Sequence, residues 1–239
     1  MNLPTSTKTV AAALLFGTSL GLAGCATGPD RDPRDPLEPL NRAVYSFNDM
    51  IDRIALEPLA QGYQAITPAP VDKGVTNFFN NLSDLRSAAN NLLQFKIGRA
   101  FSDVGRFAVN STVGVLGVMD VASNMDLPRY NEDFGQTLGV WGFGSGPYIV
   151  LPFFGPSSGR DSVGVVVDWF TDPLMLVDDD ATRWGLRGLK LIDTRADLLN
   201  ASRVLQQAAL DPYAFVRDAF LQQRQSAVFD GNPPEELFE

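Results

Sequence analysis

The 239-residue chain contains no histidine, and that absence removes the usual general base. Gly155-Pro-Ser157-Ser-Gly159 has the G-x-S-x-G spacing of a nucleophile elbow. An elbow serine needs a base, normally histidine, and a strand-turn-helix that Pro156 fits badly. A lipid-modifying esterase built on Ser157 is therefore disfavoured. The segment reads instead as a Gly/Pro/Ser turn capping a helix that starts near Asp161. There is one cysteine, Cys25, so no intramolecular disulfide can form. After Cys25 no apolar run reaches the length of a lone membrane-spanning helix. Positive charge is scarce as well: 19 Lys and Arg against 28 Asp and Glu, net −9. That balance argues against a nucleic-acid surface and against simple electrostatic adhesion to an anionic membrane. Asp178-Asp179-Asp180 has no accompanying ligand set or EF-hand spacing, and reads as a solvated helix start.

What is present begins with an address. Residues 1–24 carry one charge, Lys8, followed by the short apolar run Val10 to Leu22. Such a run fits a signal-peptide core and is too short to cross a bilayer. It ends in Leu22-Ala23-Gly24-Cys25, the lipobox pattern of bacterial lipoproteins, in which the cysteine becomes the lipidated N-terminus. The alternative is a secreted protein cleaved nearby with an idle thiol. Ala26 follows the cysteine where an Asp would resemble an inner-membrane retention signal, so the sorting pattern points to the outer membrane. Residues 25–34 are polar with Pro and Gly and read as a flexible tether.

The next two hundred residues are patterned for helices. Asp35-Pro-Leu-Glu38 has the form of a capping box, followed by Leu40, Val44, Phe47, Ile51 and Ile54 at helical spacing, with Pro58 as the expected stop. A second helix is expected over about Val71 to Gln94. Its apolar stripe includes Val75, Phe79, Leu82, Leu85 and Leu92, and its opposite face is rich in asparagine. Asparagine is a poor helix former, so that face either meets protein or headgroups or is an ordinary surface of low propensity. Gly98 to Asn110 gives a third helix. Thr112 to Ala122 permits a short buried helix or a lipid-facing turn. A long helix is expected over Ala181 to Gln207, a last one begins at Asp211-Pro212, and the acidic tail from 230 to 239 reads as disordered.

Residues 132–161 stand apart, with seven glycines and three prolines among aromatic and aliphatic side chains. Asp133 is placed to cap a short helix carrying Phe134, Leu138 and Trp141 on one face, and Gly142 to end it in the left-handed conformation. Gly144 and Gly146 then break the chain before the extended run from Pro147 through Tyr148 to Leu151. Buried irregular backbone must have its polar groups paired. The stretch therefore reads either as a tight structural crossing or as a cavity lining.

Taken together these segments resemble the MlaA (VacJ) family of outer-membrane lipoproteins. The resemblance runs through Asp35-Pro-Leu-Glu38, Asn41-Arg42, Tyr45-x-Phe47-Asn48, Asn77-Phe78 and Asn81-Leu82. It continues through Asp120-Val-Ala122, Phe134-Gly-x-Thr137-Leu-Gly139, Gly146-Pro-Tyr148-x-x-Leu151-Pro-Phe153, Thr194-Arg195-Ala196 and Asp211-Pro-Tyr213. Ser46 departs from the pattern, where relatives carry Asn. The resemblance implies an all-α fold over residues 35–229: a ring-shaped bundle of amphipathic helices with Gly/Pro/aromatic crossing segments, embedded in one membrane leaflet around an amphipathic channel. It implies removal of mislocalised phospholipids from the outer leaflet and their transfer to the periplasmic carrier MlaC, in association with trimeric porins, with no cofactor and no covalent chemistry. The channel candidates are Phe47, Asn48, Phe134, Leu138, Trp141, Gly144, Gly146 and Tyr148, with simple core packing as the competing role for Phe47. A structural lipoprotein that scaffolds porins without moving lipid is the alternative function.

Overall fold

The computed structural model describes residues 32–234. The leader, Cys25, most of the tether and residues 235–239 lie outside the described residues. The chain is mainly helical, with a single two-stranded hairpin among the described residues. The helices are α1 (Glu38–Ile51), α2 (Glu57–Ile66), α3 (Ala69–Leu93), α4 (Ile97–Thr112), α5 (Phe134–Val140), α6 (Gly159–Thr171), α7 (Asp180–Asp197), α8 (Leu199–Ala208) and α9 (Pro212–Val228). Between α5 and α6, β1 (Tyr148–Leu151) pairs antiparallel with β2 (Gly155–Ser158).

Several helix starts follow from local chemistry. The side chains of Asp133, Ser158, Asp179 and Asp211 accept the backbone N–H of Gln136, Asp161, Thr182 and Ala214, each three residues on. Asp35 does not do this. Helix α1 starts after Leu37 without a side-chain cap. The Asp35 carboxylate is fully buried and accepts from Asn41 Nδ2 (2.8 Å) and the Tyr213 hydroxyl (2.5 Å). A buried carboxylate needs several donors, and those tertiary partners outcompete one local N–H. Pro58 does not stop the helix either. Residues Asp52–Leu56 form a π-helical turn, with Glu57 N–H reaching back to Asp52 O, and α2 continues to Ile66. The wider turn accommodates a proline that cannot donate and whose ring would meet the carbonyl four residues back. The expected helix over 181–207 is broken at Leu198, which brings Ala196 and Leu199 together onto Ala60. Residues 113–119 form a turn, not a helix, with Val115 and Leu116 in left-handed backbone (φ 53° and 56°) and their side chains exposed. The tether's last residues are tied down, since Arg34 O accepts Tyr148 N–H at 2.8 Å. So is the start of the acidic tail, where Asp230 pairs with Lys96 and Arg99.

Elements distant in sequence close a circuit of contacts. Helix α1 runs through the π turn into α2, α2 packs on α7, α7 on α3, α3 on α5, α5 on α6, α6 on the hairpin, and β1 returns to α1. Helix α4 packs along α3. The partition of residues is inverted relative to a water-soluble domain. Buried positions on α3 and α4 include Asn81, Asp84, Ser87, Asn90, Asn91, Asp103, Arg106 and Asn110. Large apolar side chains such as Ile54, Ile66, Phe95, Phe101, Phe170 and Leu176 are more than two-thirds exposed. The asparagine face of α3 thus meets protein: Asn81 donates to Ser111 Oγ (2.9 Å) and Asn91 to Asp103 (2.8 Å), while Asn90 accepts from Thr137 (2.8 Å). Leu92 and Leu93, from the expected core stripe, are exposed instead. Arg106, 2 % exposed, joins Asp84 on α3 to Asp120 and to Leu127 O beyond α4.

Candidate functional site

Two asparagines on α1 fix the Gly-rich hairpin. Asn41 donates to Tyr148 O (2.9 Å) and accepts Val150 N–H (2.9 Å). Asn48 donates to Leu151 O (2.9 Å) and accepts Phe153 N–H (2.9 Å). Seven helical residues advance about 10 Å, and three strand residues about the same. The two amides therefore serve as a third strand on the free edge of β1.

A second set of contacts holds the start of α5 to α6 and α9. Arg224 donates to Asp133 (2.5 Å) and Asp161 (2.9 Å), and Arg160 also reaches Asp161 (3.0 Å). Burial alone would raise Asp133, but the hydrogen bonds and charge of Arg224 hold it down to about 2. Asp168, two turns after Asp161 on α6, accepts Phe134 N–H at 3.3 Å. Burial pushes it up to about 6: Arg86 partly offsets this and Asp133 adds to it. Where α5 crosses α6, a Cβ on Gly164 would stand 2.5 Å from Gly135 N, so the helices touch backbone to backbone.

Beside this assembly lies a cavity of about 740 Å³. Its wall includes Gly144, Gly146, Phe143, Arg34, Arg160 and Arg224. Apolar and guanidinium groups thus share one concave surface, with Asp218 in the same wall and each guanidinium paired to a carboxylate.

The sequence candidates divide among these features. Gly144 and Gly146 line the cavity, just beyond the left-handed Gly142 (φ 92°) that ends α5. Trp141 is not in its wall: Nε1 donates to Leu93 O (3.0 Å) and the ring meets Phe134 edge-on (6.2 Å). Leu138 is half-buried on the same helix. Tyr148 is not in the wall of this cavity. It is fully buried against Tyr213 and Phe220, its hydroxyl has no partner among the described residues, and burial raises its phenol. Phe47 packs edge-on against Phe153 (5.5 Å), and Asn48 is the clamp residue described above. Cys25 lies outside the described residues. Ser157 is buried, with its hydroxyl 3.0 Å from Ser162 Oγ, and is not presented to solvent. Asn41, Arg160, Asp168 and Arg224 were not expected. Only Asn41 had a signal, its seven-residue spacing from Asn48.

The comparisons with known proteins agree with one another. A family model described as "MlaA lipoprotein" matches residues 33–227. A Haemophilus influenzae protein named "Intermembrane phospholipid transport system lipoprotein MlaA" is 36% identical over 241 residues, covering 94% of this chain and 92% of its own. An Escherichia coli protein of the same name is 38% identical over 223 residues, covering 88% of this chain and 85% of its own. A solved structure described as "Structural basis for maintenance of bacterial outer membrane lipid asymmetry" superposes with a TM-score of 0.71 at 33% identity, covering 84% of this chain and 100% of that chain.

Proposed function

The chain belongs to the MlaA lipoprotein family, and from that premise we propose that it removes mislocalised phospholipids from the outer leaflet of the outer membrane and returns them toward the inner membrane. It is a transport lipoprotein and not an enzyme. The observation that carries the reading is the inverted partition, with Asn, Asp, Ser and Arg inside and Ile, Leu and Phe outside. Each large apolar side chain left in water forfeits roughly 1.5–3 kcal/mol. An apolar exterior of this extent needs an apolar cover, and in a family of membrane lipoproteins that cover is hydrocarbon. No described helix is long and apolar enough to cross a membrane, which favours embedding in one leaflet.

The closed circuit of elements supports a ring, with apolar groups toward acyl tails and a polar bore for the headgroup. Such a bore lowers the cost of taking a charged headgroup through hydrocarbon. Gly144, Gly146, Phe134, Leu138 and Trp141 are assigned to its wall or mouth, and Phe47 and Asn48 to the support of the hairpin beside it. Cys25 is the lipid anchor, at the periplasmic leaflet. The partners are a porin trimer and the periplasmic carrier MlaC.

The test is outer-leaflet phospholipid content in cells lacking the protein, complemented with the natural or the Cys25→Ser form. Accumulation cleared only by the lipidated form is the expected result. An unchanged leaflet, with the protein confirmed in the outer membrane, rejects transport and leaves a porin scaffold.

A further inference from the structure

On a chain of net charge −9, an arginine without a carboxylate partner is conspicuous. Arg187, on α7, is one: among the described residues its side chain makes no ion pair, and its one hydrogen bond runs from Nη2 to Met175 Sδ (3.0 Å). Its guanidinium lies 3.9 Å from the ring centre of Trp169 on α6 and 5.3 Å from that of Trp184 on α7. The two indoles are 6.2 Å apart, and Phe154 from the hairpin meets Trp169 edge-on at 5.7 Å. Phe154 and Trp184 are both more than half exposed.

Two further cations stand close by. Lys190 follows one turn later on α7 and reaches only Asp172, at 3.6 Å. Burial lowers its ammonium, Asp172 partly opposes this, and Arg86 and Arg187 lower it further. Arg86, on α3, makes no ion pair among the described residues, and its Nε is buried without a partner. The carboxylates that face this group are Asp172 and, toward Arg86, Asp168. Three cations against two carboxylates leave an excess of positive charge beside an exposed aromatic strip.

A guanidinium seated over an indole face keeps edge N–H groups beyond the one given to Met175 for a ligand, and that fork suits phosphate oxygens. We propose that Arg187, bracketed by Trp169 and Trp184, binds the phosphodiester of a phospholipid, whose glycerol and first acyl carbons lie over Trp184 and Phe154. The site rests on the transport reading but is separate from the cavity at Gly144 and Gly146. Free phosphate shares the headgroup chemistry and lacks the acyl chains, so the two sources can be told apart.

The chain has three tryptophans, so Trp141→Phe in the full lipidated protein leaves only Trp169 and Trp184 to report. The protein, in detergent, is titrated with phosphatidylglycerol brominated high in its acyl chains, and separately with inorganic phosphate. Saturable quenching is expected. With Arg187→Gln, about tenfold more lipid should be needed for half-quenching, and with Arg187→Lys an intermediate amount, since Lys keeps the charge and loses the planar fork. Equal quenching in natural and Arg187→Gln proteins of matched circular dichroism overturns the proposal. If Arg187→Gln misfolds, Arg187→Lys decides: an unchanged midpoint overturns and a raised one supports. An emission change from inorganic phosphate without lipid quenching assigns a free-phosphate site and also overturns it. Outer-leaflet clearance is measured in parallel. Clearance with Arg187-independent quenching rejects this site alone. Arg187-dependent quenching without clearance rejects the transport reading and keeps the site.

Discussion

Asn41 serves three groups at once: the Asp35 carboxylate, Tyr148 O and Val150 N–H. Asn41→Ala strands all three in a buried setting, and a lost partner there costs about 1–3 kcal/mol per group. Unfolding in detergent should show a loss of at least about 3 kcal/mol. Asn48→Ala, at a half-exposed position with two bonds, should lose about 1–2 kcal/mol. No loss in either variant would remove the two-rung clamp. Asp168 makes a pH prediction of definite sign. Its carboxyl sits at about 6 against an ordinary 3.8, so between those values the folded protein holds a proton that the unfolded chain has released. Its contribution to stability therefore falls as pH rises through that window and is level above it. Asp133 and Asp120, held down to about 2, act in the opposite sense: their contribution is present above 3.8 and is lost as pH falls toward 2. Asp168→Asn should lessen the fall in stability between pH 4 and 6, leaving the part due to the other raised carboxyls such as Asp84 and Asp103, and raise stability at pH 7, with the acid limb below 4 unchanged. A variant whose profile overlays the parent would rule this out. At this scale the sequence showed that Asn41 and Asn48 share a helix face, but not what they bind, because their partners lie a hundred residues away.

The crossing of α5 and α6 depends on two facing glycines, and glycine spacing gives a sharper test than burial. A Cβ on Gly164 would come within 2.5 Å of Gly135 N and 2.8 Å of its Cα, backbone that cannot swing aside. Gly164→Ala should destabilise by more than about 2 kcal/mol, in the upper range for overpacking. A Cβ on Gly144 meets nothing within 4 Å, so Gly144→Ala should leave unfolding within about 0.5 kcal/mol of the parent. If Gly144 lines the lipid path, the same variant changes outer-leaflet clearance while stability stays put. Helix starts were legible wherever a cap served its own helix, as at Asp133 and Asp211. They were misread where a residue was recruited elsewhere, as at Asp35. The proline at 58 and the break at Leu198 were misread for a related reason. A π turn and a kink cost local geometry that only packing against distant helices repays, and single-sequence periodicity carries no record of that packing.

For the molecule as a whole, periodicity located the faces of α3 and α4, but which face points inward depends on the surroundings. In water the whole apolar stripe of α3 would be core; here Phe79 is buried but Leu92 and Leu93 are exposed, while Asn81, Asn90 and Asn91 are buried, and only the low helix propensity of asparagine hinted at it. The inversion predicts opposite outcomes for two kinds of change. Charged residues at apolar positions more than two-thirds exposed on separate elements, Ile54→Asp, Phe101→Asp and Phe170→Asp together, should leave unfolding in detergent nearly unchanged. The same triple variant should bind bilayers much more weakly, since three apolar side chains, at roughly 1.5–3 kcal/mol each, no longer favour hydrocarbon. The experiment needs the Cys25→Ser background, so that acyl chains do not mask the loss, and flotation with vesicles as the readout. Asn91→Leu should do the reverse. Loss of its bond to Asp103 (2.8 Å) leaves a buried carboxylate short of a donor and destabilises the fold by about 2–3 kcal/mol, while the apolar exterior is untouched. A triple variant that floats as well as its parent would mean that the exposed side chains do not meet lipid. The bilayer would then have no part in the inversion, and the apolar exterior would have to be covered by protein.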